Sequence, residues 1–215
     1  MTSTRTAEEL KADLTGGLAT AIAGKGYAAT TIADIVMHAR VSKRTFYEHF
    51  ADKEACLIAL YEQGCERLIE VLRTASSGLG RSSGTLVKSG VGAYLGALES
   101  MPAVTRTLLV EIQAAGPRAY RLRQQMQRRF ADTLVEVVDA ARAADPAIPR
   151  LSQLLAIALV GGVHEMMLQV CDPYTGAGPS FATLAPAVDQ LVHAILTDPR
   201  RSADGMIEHT DGLQD

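Results

Sequence analysis

Residues 30–50, TTIADIVMHARVSKRTFYEHF, constrain the fold more than any other stretch. Ile32, Ile35, Val36 and Ala39 recur at i, i+3, i+4 and i+7, the apolar stripe of an amphipathic helix about two turns long. Thr30 or Thr31 offers a hydroxyl to the first free N–H groups of that helix, and Ser42 does the same for a second one. His38, Ala39, Arg40 and Val41 alone connect them, so the helices meet at a steep angle, as in a helix-turn-helix.

At about 100° per residue, the second helix turns Phe46 and Phe50 toward the first. Arg44, Tyr47 and Glu48 point away, with Lys43, Thr45 and His49 at the rim. Such a face suits a DNA major groove: Lys and Arg bond to guanine O6 and N7, Thr touches the thymine methyl, and Tyr and His reach phosphate. The chain has no Asn, so the bidentate Asn contact to adenine is excluded.

Gly26-Tyr27, Thr30 to Ile35, Val41-Ser42 and Thr45 to Phe50, followed by Asp52-Lys53-Glu54, are similar to the N-terminal domain of the TetR family of bacterial transcriptional regulators. The resemblance runs from roughly Ala7 to Tyr61. It implies a dimeric, all-helical protein that binds double-stranded DNA and carries a C-terminal domain for a small-molecule effector. The implied DNA-binding residues are Thr31, Ser42, Lys43, Arg44, Thr45, Tyr47, His49 and Lys53, with Lys53 meeting phosphate beside a helix start. A dimer would set two such helices about 34 to 36 Å apart on a palindromic operator.

Charge supports local rather than indiscriminate nucleic-acid binding: the net charge is −3 and the pI about 6.0. Residues 1–53 hold seven Lys and Arg against six Asp and Glu, so placement matters more than balance. Three cysteines, Cys56, Cys65 and Cys171, cannot all pair within one chain. Cys56 and Cys65 share a helix at a separation of about 13.5 Å, beyond disulfide reach, which suits a reducing, cytoplasmic setting. The N-terminus lacks the apolar run of a signal peptide. Leu151 to Val170 matches a membrane span in length, but Gln153, His164, Glu165 and Gln169 favour a buried helix and no membrane association.

The expected fold is all-α, with about nine helices and no sheet. Leu10, Leu14, Leu18 and Ile22 mark a first helix from Ala7 that Gly24 and Gly26 end, with Tyr27 as a plug between the first and second helices. A fourth helix, capped by Asp52, runs to about Ala75, before the flexible segment Ser76 to Gly84. Helices follow at Thr85–Glu99, Ala103–Ala114, Pro117–Ala144, Leu151–Val170 and Ala182–Leu196, punctuated by Pro102, Pro117 and residues 145–149. A loop is expected from Asp172 to Ser180 and a disordered tail at 198–215. The chain thus divides into a helix-turn-helix domain (1–52), a ligand-binding and dimerisation domain (53–197) and the tail.

No catalytic, metal or cofactor signature emerges. His164-Glu165 lacks the second His of a zinc-protease helix, since position 168 is Leu. Gly90, Gly92 and Gly96 lack phosphate-loop spacing and read as a helix thinned for close packing. Arg118, Arg121, Arg123, Arg128 and Arg129 form an acid-free basic run, either a solvated face or a second nucleic-acid site. The last two long helices carry more apolar surface than one core stripe needs, which with the resemblance implies a four-helix dimer interface in which Gly161-Gly162 permits close approach. By the resemblance, Met101, Leu108, Glu111, Tyr120, Met126, Phe130, His164, Met167 and Cys171 lie on the helices around the effector pocket. Two alternatives stand beside a ligand-controlled repressor: a ligand-independent regulator, and a metabolite-binding or enzymatic protein with a vestigial helix-turn-helix.

Overall fold

A computed structural model describes residues 5–76, 83–171 and 180–197. Among them lie nine α-helices and no strand: α1 (Ala7–Ala29), α2 (Ile32–Ala39), α3 (Lys43–His49), α4 (Lys53–Ser76), α5 (Ser83–Glu99), α6 (Pro102–Leu109), α7 (Pro117–Ala144), α8 (Gln153–Val170) and α9 (Ala185–Thr197). Short 3-10 helices occupy Glu111–Ala114 and Phe181–Leu184. Most of the loops expected at 76–84 and 172–180, and the tail at 198–215, lie outside the described residues.

Local chemistry sets the boundaries. Thr6 with Glu9 and Thr31 with Asp34 form reciprocal capping boxes at the starts of α1 and α2. The Asp52 carboxylate accepts the Ala55 N–H at 2.6 Å, which starts α4. The Asp34 carboxyl also meets Lys25 at 2.7 Å; this contact, with the Thr31 bonds, holds it well below the usual carboxylate range. Its stabilising effect is therefore present above the ordinary carboxylate range and fades as pH falls through it. Of the two glycines expected to end the first helix, Gly24 stays helical and Gly26 breaks it (φ +75°), where a residue without Cβ takes the left-handed turn at little cost; a short helical turn beyond the kink carries α1 to Ala29.

Leu14, Leu18, Ile22, Ile35, Phe46 and Leu57 are fully buried and form the base of the N-terminal three-helix unit. The tightest crossing is that of α1 on α2. A Cβ on Gly17 would lie 2.6 Å from the Ile35 carbonyl oxygen and 3.0 Å from the Ala39 nitrogen, whereas one on Gly16 would meet nothing within 4 Å. Gly17→Ala is expected to cost about 1–3 kcal/mol, because backbone must move. Gly16→Ala should be neutral or stabilising by up to about 1 kcal/mol. Urea denaturation of the two variants checks this difference.

The buried core runs without a break from α1 through α4 into α5, α6 and α7. The 52/53 boundary thus falls at the start of a helix that both halves share. A second, smaller core, built on Ala131, Val138, Ala141, Ile148, Leu151 and Ala156, occupies the far end of α7 and α8. The expectation that α8 is simply buried holds for one face only. Ala156, Leu159 and Met167 are inside, but Leu154 is 80% exposed and Ile157 and Ala158 are exposed beside it. By length and composition α8 could cross a membrane, yet it packs on α7, α9 and the 3-10 helix at 181–184. Gly162 faces Leu191 of α9 at 3.7 Å, while Gly161 meets nothing. No atom lies within 4 Å of a Cβ on Gly90, Gly92 or Gly96, so these glycines do not serve close helix packing within this chain.

Candidate nucleic-acid interface and buried cavity

Recognition-type geometry is built from α2 and α3. Arg40, in the left-handed conformation (φ 54°), ends α2 and turns the chain through Val41 to Ser42, whose hydroxyl accepts the Thr45 N–H at 3.0 Å. Phe46 is fully buried and Phe50 nearly so, with their rings 5.8 Å apart, which fixes the roll of α3 about its axis. The opposite side is open: Ser42, Lys43, Arg44, Tyr47 and Glu48 are exposed, and Thr45 and His49 lie at the rim. Arg44 bonds to Glu48 one turn on at 3.0 Å, an exposed pair that a stronger partner displaces at small cost. Thr31 is exposed at the same edge, its hydroxyl 2.6 Å from Asp34.

Lys53 holds a different place from the one expected. Its ammonium donates to the carbonyls of Tyr27 (2.8 Å) and Thr30 (2.7 Å) and lies 4.2 Å from the centre of the Tyr27 ring. Partial burial lowers its pKa. A cation engaged by two carbonyls and a ring is not the free point charge that a phosphate contact requires. Lys53 instead ties the start of α4 to the α1–α2 junction, and Tyr27 is less a plug than the surface on which Lys53 rests.

Glu111 grips the same junction from the other side. Its carboxylate accepts the Tyr27 N–H at 3.1 Å and pairs with Arg106 at 2.9 Å. Expected among the pocket residues, Glu111 instead joins the C-terminal half to the N-terminal helices.

Between the two cores lies an apolar cavity of about 140 Å³, walled by α4, α5, α7, α8 and α9. Val91, Phe130, Val138, Leu159, Val163 and Val188 are among its walls, and among the described residues Ser76 and Tyr94 bring the only hydroxyls. It is the gap that keeps the two buried clusters from merging.

Residues 18–60 match the model of the bacterial regulatory proteins of the tetR family. A curated relative, the uncharacterised HTH-type transcriptional regulator YxbF of Bacillus subtilis (strain 168), is 36% identical over 78 residues, which is 36% of this chain and 20% of that protein. Residues 18–60 are thus similar to the N-terminal region of the tetR-family regulators. The match to YxbF spans only about a fifth of that regulator's length. Solved structures extend the likeness to the whole fold. The fatty acid degradation regulator FadR from Bacillus halodurans has a TM-score of 0.71 at 16% identity, covering 85% of this chain and 94% of that one. FadR from Bacillus subtilis in complex with stearoyl-CoA has 0.67 at 15%, covering 87% and 98%. A tetR-family regulatory protein from Rhodococcus RHA1 has 0.65 at 19%, covering 91% and 100%.

Of the nine pocket residues expected in this chain, the structure brings only Phe130 to the cavity. Leu108, Met126, Met167 and Cys171 are packed into the larger core, and Met101 caps α6 against it. Tyr120 is 54% exposed and its hydroxyl meets Gln124. His164 is half-buried, with Nε2 enclosed and lacking a hydrogen-bond partner. The valines and Gly90 that line the cavity carry no polar or aromatic signal in the sequence.

The arginine run is divided among faces and forms no single patch. Arg118 pairs with Asp52 and Glu54, and Arg129 with Glu66. Arg123 is half-buried, and its charge acts on Tyr61 and His164. None of the three cysteines is in a disulfide, and burial pushes the Cys56 and Cys65 thiols up to about 12.

Proposed function

We propose that this protein is a dimeric, sequence-specific transcriptional regulator of the repressor type, whose affinity for a palindromic operator is set by a small apolar effector in the cavity. The observation that carries this reading is the division of α3: two phenylalanines buried on one side, and Lys43, Arg44 and Tyr47 exposed on the other. The first turn of α3, presented from Ser42, is the part positioned to meet base edges. Ser42, Lys43, Arg44, Thr45, Tyr47 and His49 form the contact surface, Thr31 borders it, and Lys53 supports it from behind. The structurally similar regulator solved in complex with stearoyl-CoA, a ligand with a long apolar tail, supports a ligand-binding role for this fold.

Arg44→Ala should weaken operator binding by about 1–3 kcal/mol, roughly five- to 150-fold, and relax base preference at one position. Fluorescence anisotropy with the protein's own upstream DNA, against a scrambled duplex, measures both effects. Equal affinity of wild type and variant for the two duplexes would remove α3 from the interface.

The exposed face of α8 supports the dimer. Leu154, Ile157, Ala158 and Gly161 fall at i, i+3, i+4 and i+7, an apolar stripe that a second copy would cover through a self-complementary contact. Leu154→Glu places a charge in that contact and is expected to raise the dimer dissociation constant by at least about tenfold. Sedimentation analysis reads the change.

A further inference from the structure

The walls of the cavity hold one hydrogen-bonding group that the described residues leave unused. Among those residues the lining carries no Asp, Glu, Lys, Arg or His, and its two hydroxyls differ in their engagement. That of Ser76 donates to the Leu72 carbonyl at 2.7 Å, one turn back in α4. That of Tyr94 makes no hydrogen bond among the described residues. Its oxygen is not sealed off either, since the enclosed side-chain oxygens and nitrogens without a partner among the described residues are Glu54 Oε1 and His164 Nε2. Tyr94 nevertheless belongs to the interior: it packs on the larger core, and burial raises its pKa above the ordinary tyrosine value. An accessible oxygen on an interior side chain opens on internal space, and the cavity is the space that Tyr94 lines. Its ring stands edge-on to that of Phe130, another wall, at 6.2 Å, which fixes where the hydroxyl sits. Cys65, whose thiol bears on Tyr94, is bonded to Tyr61.

We propose that the effector is a compact, uncharged molecule, a single ring with a short substituent, whose one polar group accepts a hydrogen bond from the Tyr94 hydroxyl. This rests on the reading of the cavity as the effector site and adds the chemical class. A carboxylate, phosphate or ammonium group among these walls would lose its hydration with no counter-charge to replace it. A neutral carbonyl oxygen gives up only a bond to water, which Tyr94 replaces, and it satisfies a donor that otherwise has no partner. An apolar body with one polar contact is also what orients a ligand in a site of this kind. Volume sets the size: an engineered apolar cavity of about 150 Å³ binds benzene, and this one has about 140 Å³.

The test is isothermal titration of the full chain with acetophenone, ethylbenzene and benzoate, which share a ring but carry a neutral acceptor, no polar group and a charge respectively. Wild type should bind acetophenone at least about fivefold more tightly than ethylbenzene, and benzoate not measurably. Tyr94→Phe should abolish the preference for acetophenone and leave ethylbenzene binding unchanged. Gly90→Leu, at a cavity-lining position where an added Cβ meets nothing within 4 Å, should abolish binding of both neutral probes without lowering the melting temperature. A preference that survives Tyr94→Phe, or equal affinities for the two neutral probes that are both lost in Gly90→Leu, would overturn the hydrogen bond and leave the cavity standing as the effector site. Benzoate bound as tightly as acetophenone would overturn the uncharged class. No binding of any probe at millimolar concentration, or binding indifferent to Gly90→Leu, would overturn the cavity reading and this proposal with it.

Discussion

Phe46→Ala should destabilise the protein by about 3–5 kcal/mol, the range for truncating a fully buried phenylalanine. Phe46 has no exposed surface, lies edge-on to Tyr47 at 5.5 Å, and packs on Phe50. Its loss opens a cavity beneath α3, a seven-residue helix too short to persist without tertiary support. Against a typical total stability of about 5–15 kcal/mol, the change is large enough to populate unfolded N-terminal domain at room temperature. Guanidinium denaturation gives the stability change, and operator affinity should fall in parallel. Tyr47→Ala is the comparison: its side chain is 58% exposed, so it should cost only about 1 kcal/mol through the lost ring contact. A Phe46→Ala midpoint that differs from wild type by no more than that of Tyr47→Ala would mean that α3 is held by something other than its phenylalanines.

The features legible in the sequence are those that repeat or that act over a few residues. Thr31, Ser42 and Asp52 cap helices because a short side-chain acceptor next to free N–H groups is a local arrangement. Phe46 and Phe50 lie inward because helical spacing puts them on the face of α3 that meets α2. Pro102 and Pro117 open α6 and α7 because a residue without an N–H fits the first turn. The contacts of Lys53 and Glu111 are not legible in the sequence for the opposite reason: their partner is Tyr27, which lies 26 residues from one and 84 from the other. No periodicity encodes such a contact. The cavity escaped for a related reason, since it consists of what is missing between two cores. Small and β-branched residues such as Gly90 and Val163 line it, and these look like ordinary core in a one-dimensional pattern.

The Tyr27 junction yields the second large expected effect. The Glu111 side chain is 12% exposed and that of Arg106 28%, so their pair is largely withdrawn from solvent. Glu111→Ala leaves the guanidinium unpaired and removes the acceptor of the Tyr27 N–H. Breaking a buried pair from one side costs about 3–5 kcal/mol; the remaining exposure of Arg106 lets water offset part of this, so about 2–3 kcal/mol is expected. Glu111→Gln should lose less, because an amide oxygen still accepts from Tyr27. The position of the contact makes its effect more than thermodynamic. Tyr27 is held at its N–H by Glu111 of the C-terminal half and at its carbonyl by Lys53 of α4, next to the left-handed break at Gly26. Cutting the first hold should leave α2 and α3 folded but free to pivot at Gly26. Amide exchange at residues 27–31 should then quicken, while exchange at Ile35 and Phe46 stays slow. In the same variant, operator affinity should become less sensitive to whatever occupies the cavity, since the link from the C-terminal half to α2 and α3 is weakened. Unchanged exchange at Tyr27, together with a stability loss below about 1 kcal/mol, would mean that the two halves are joined by their shared core alone.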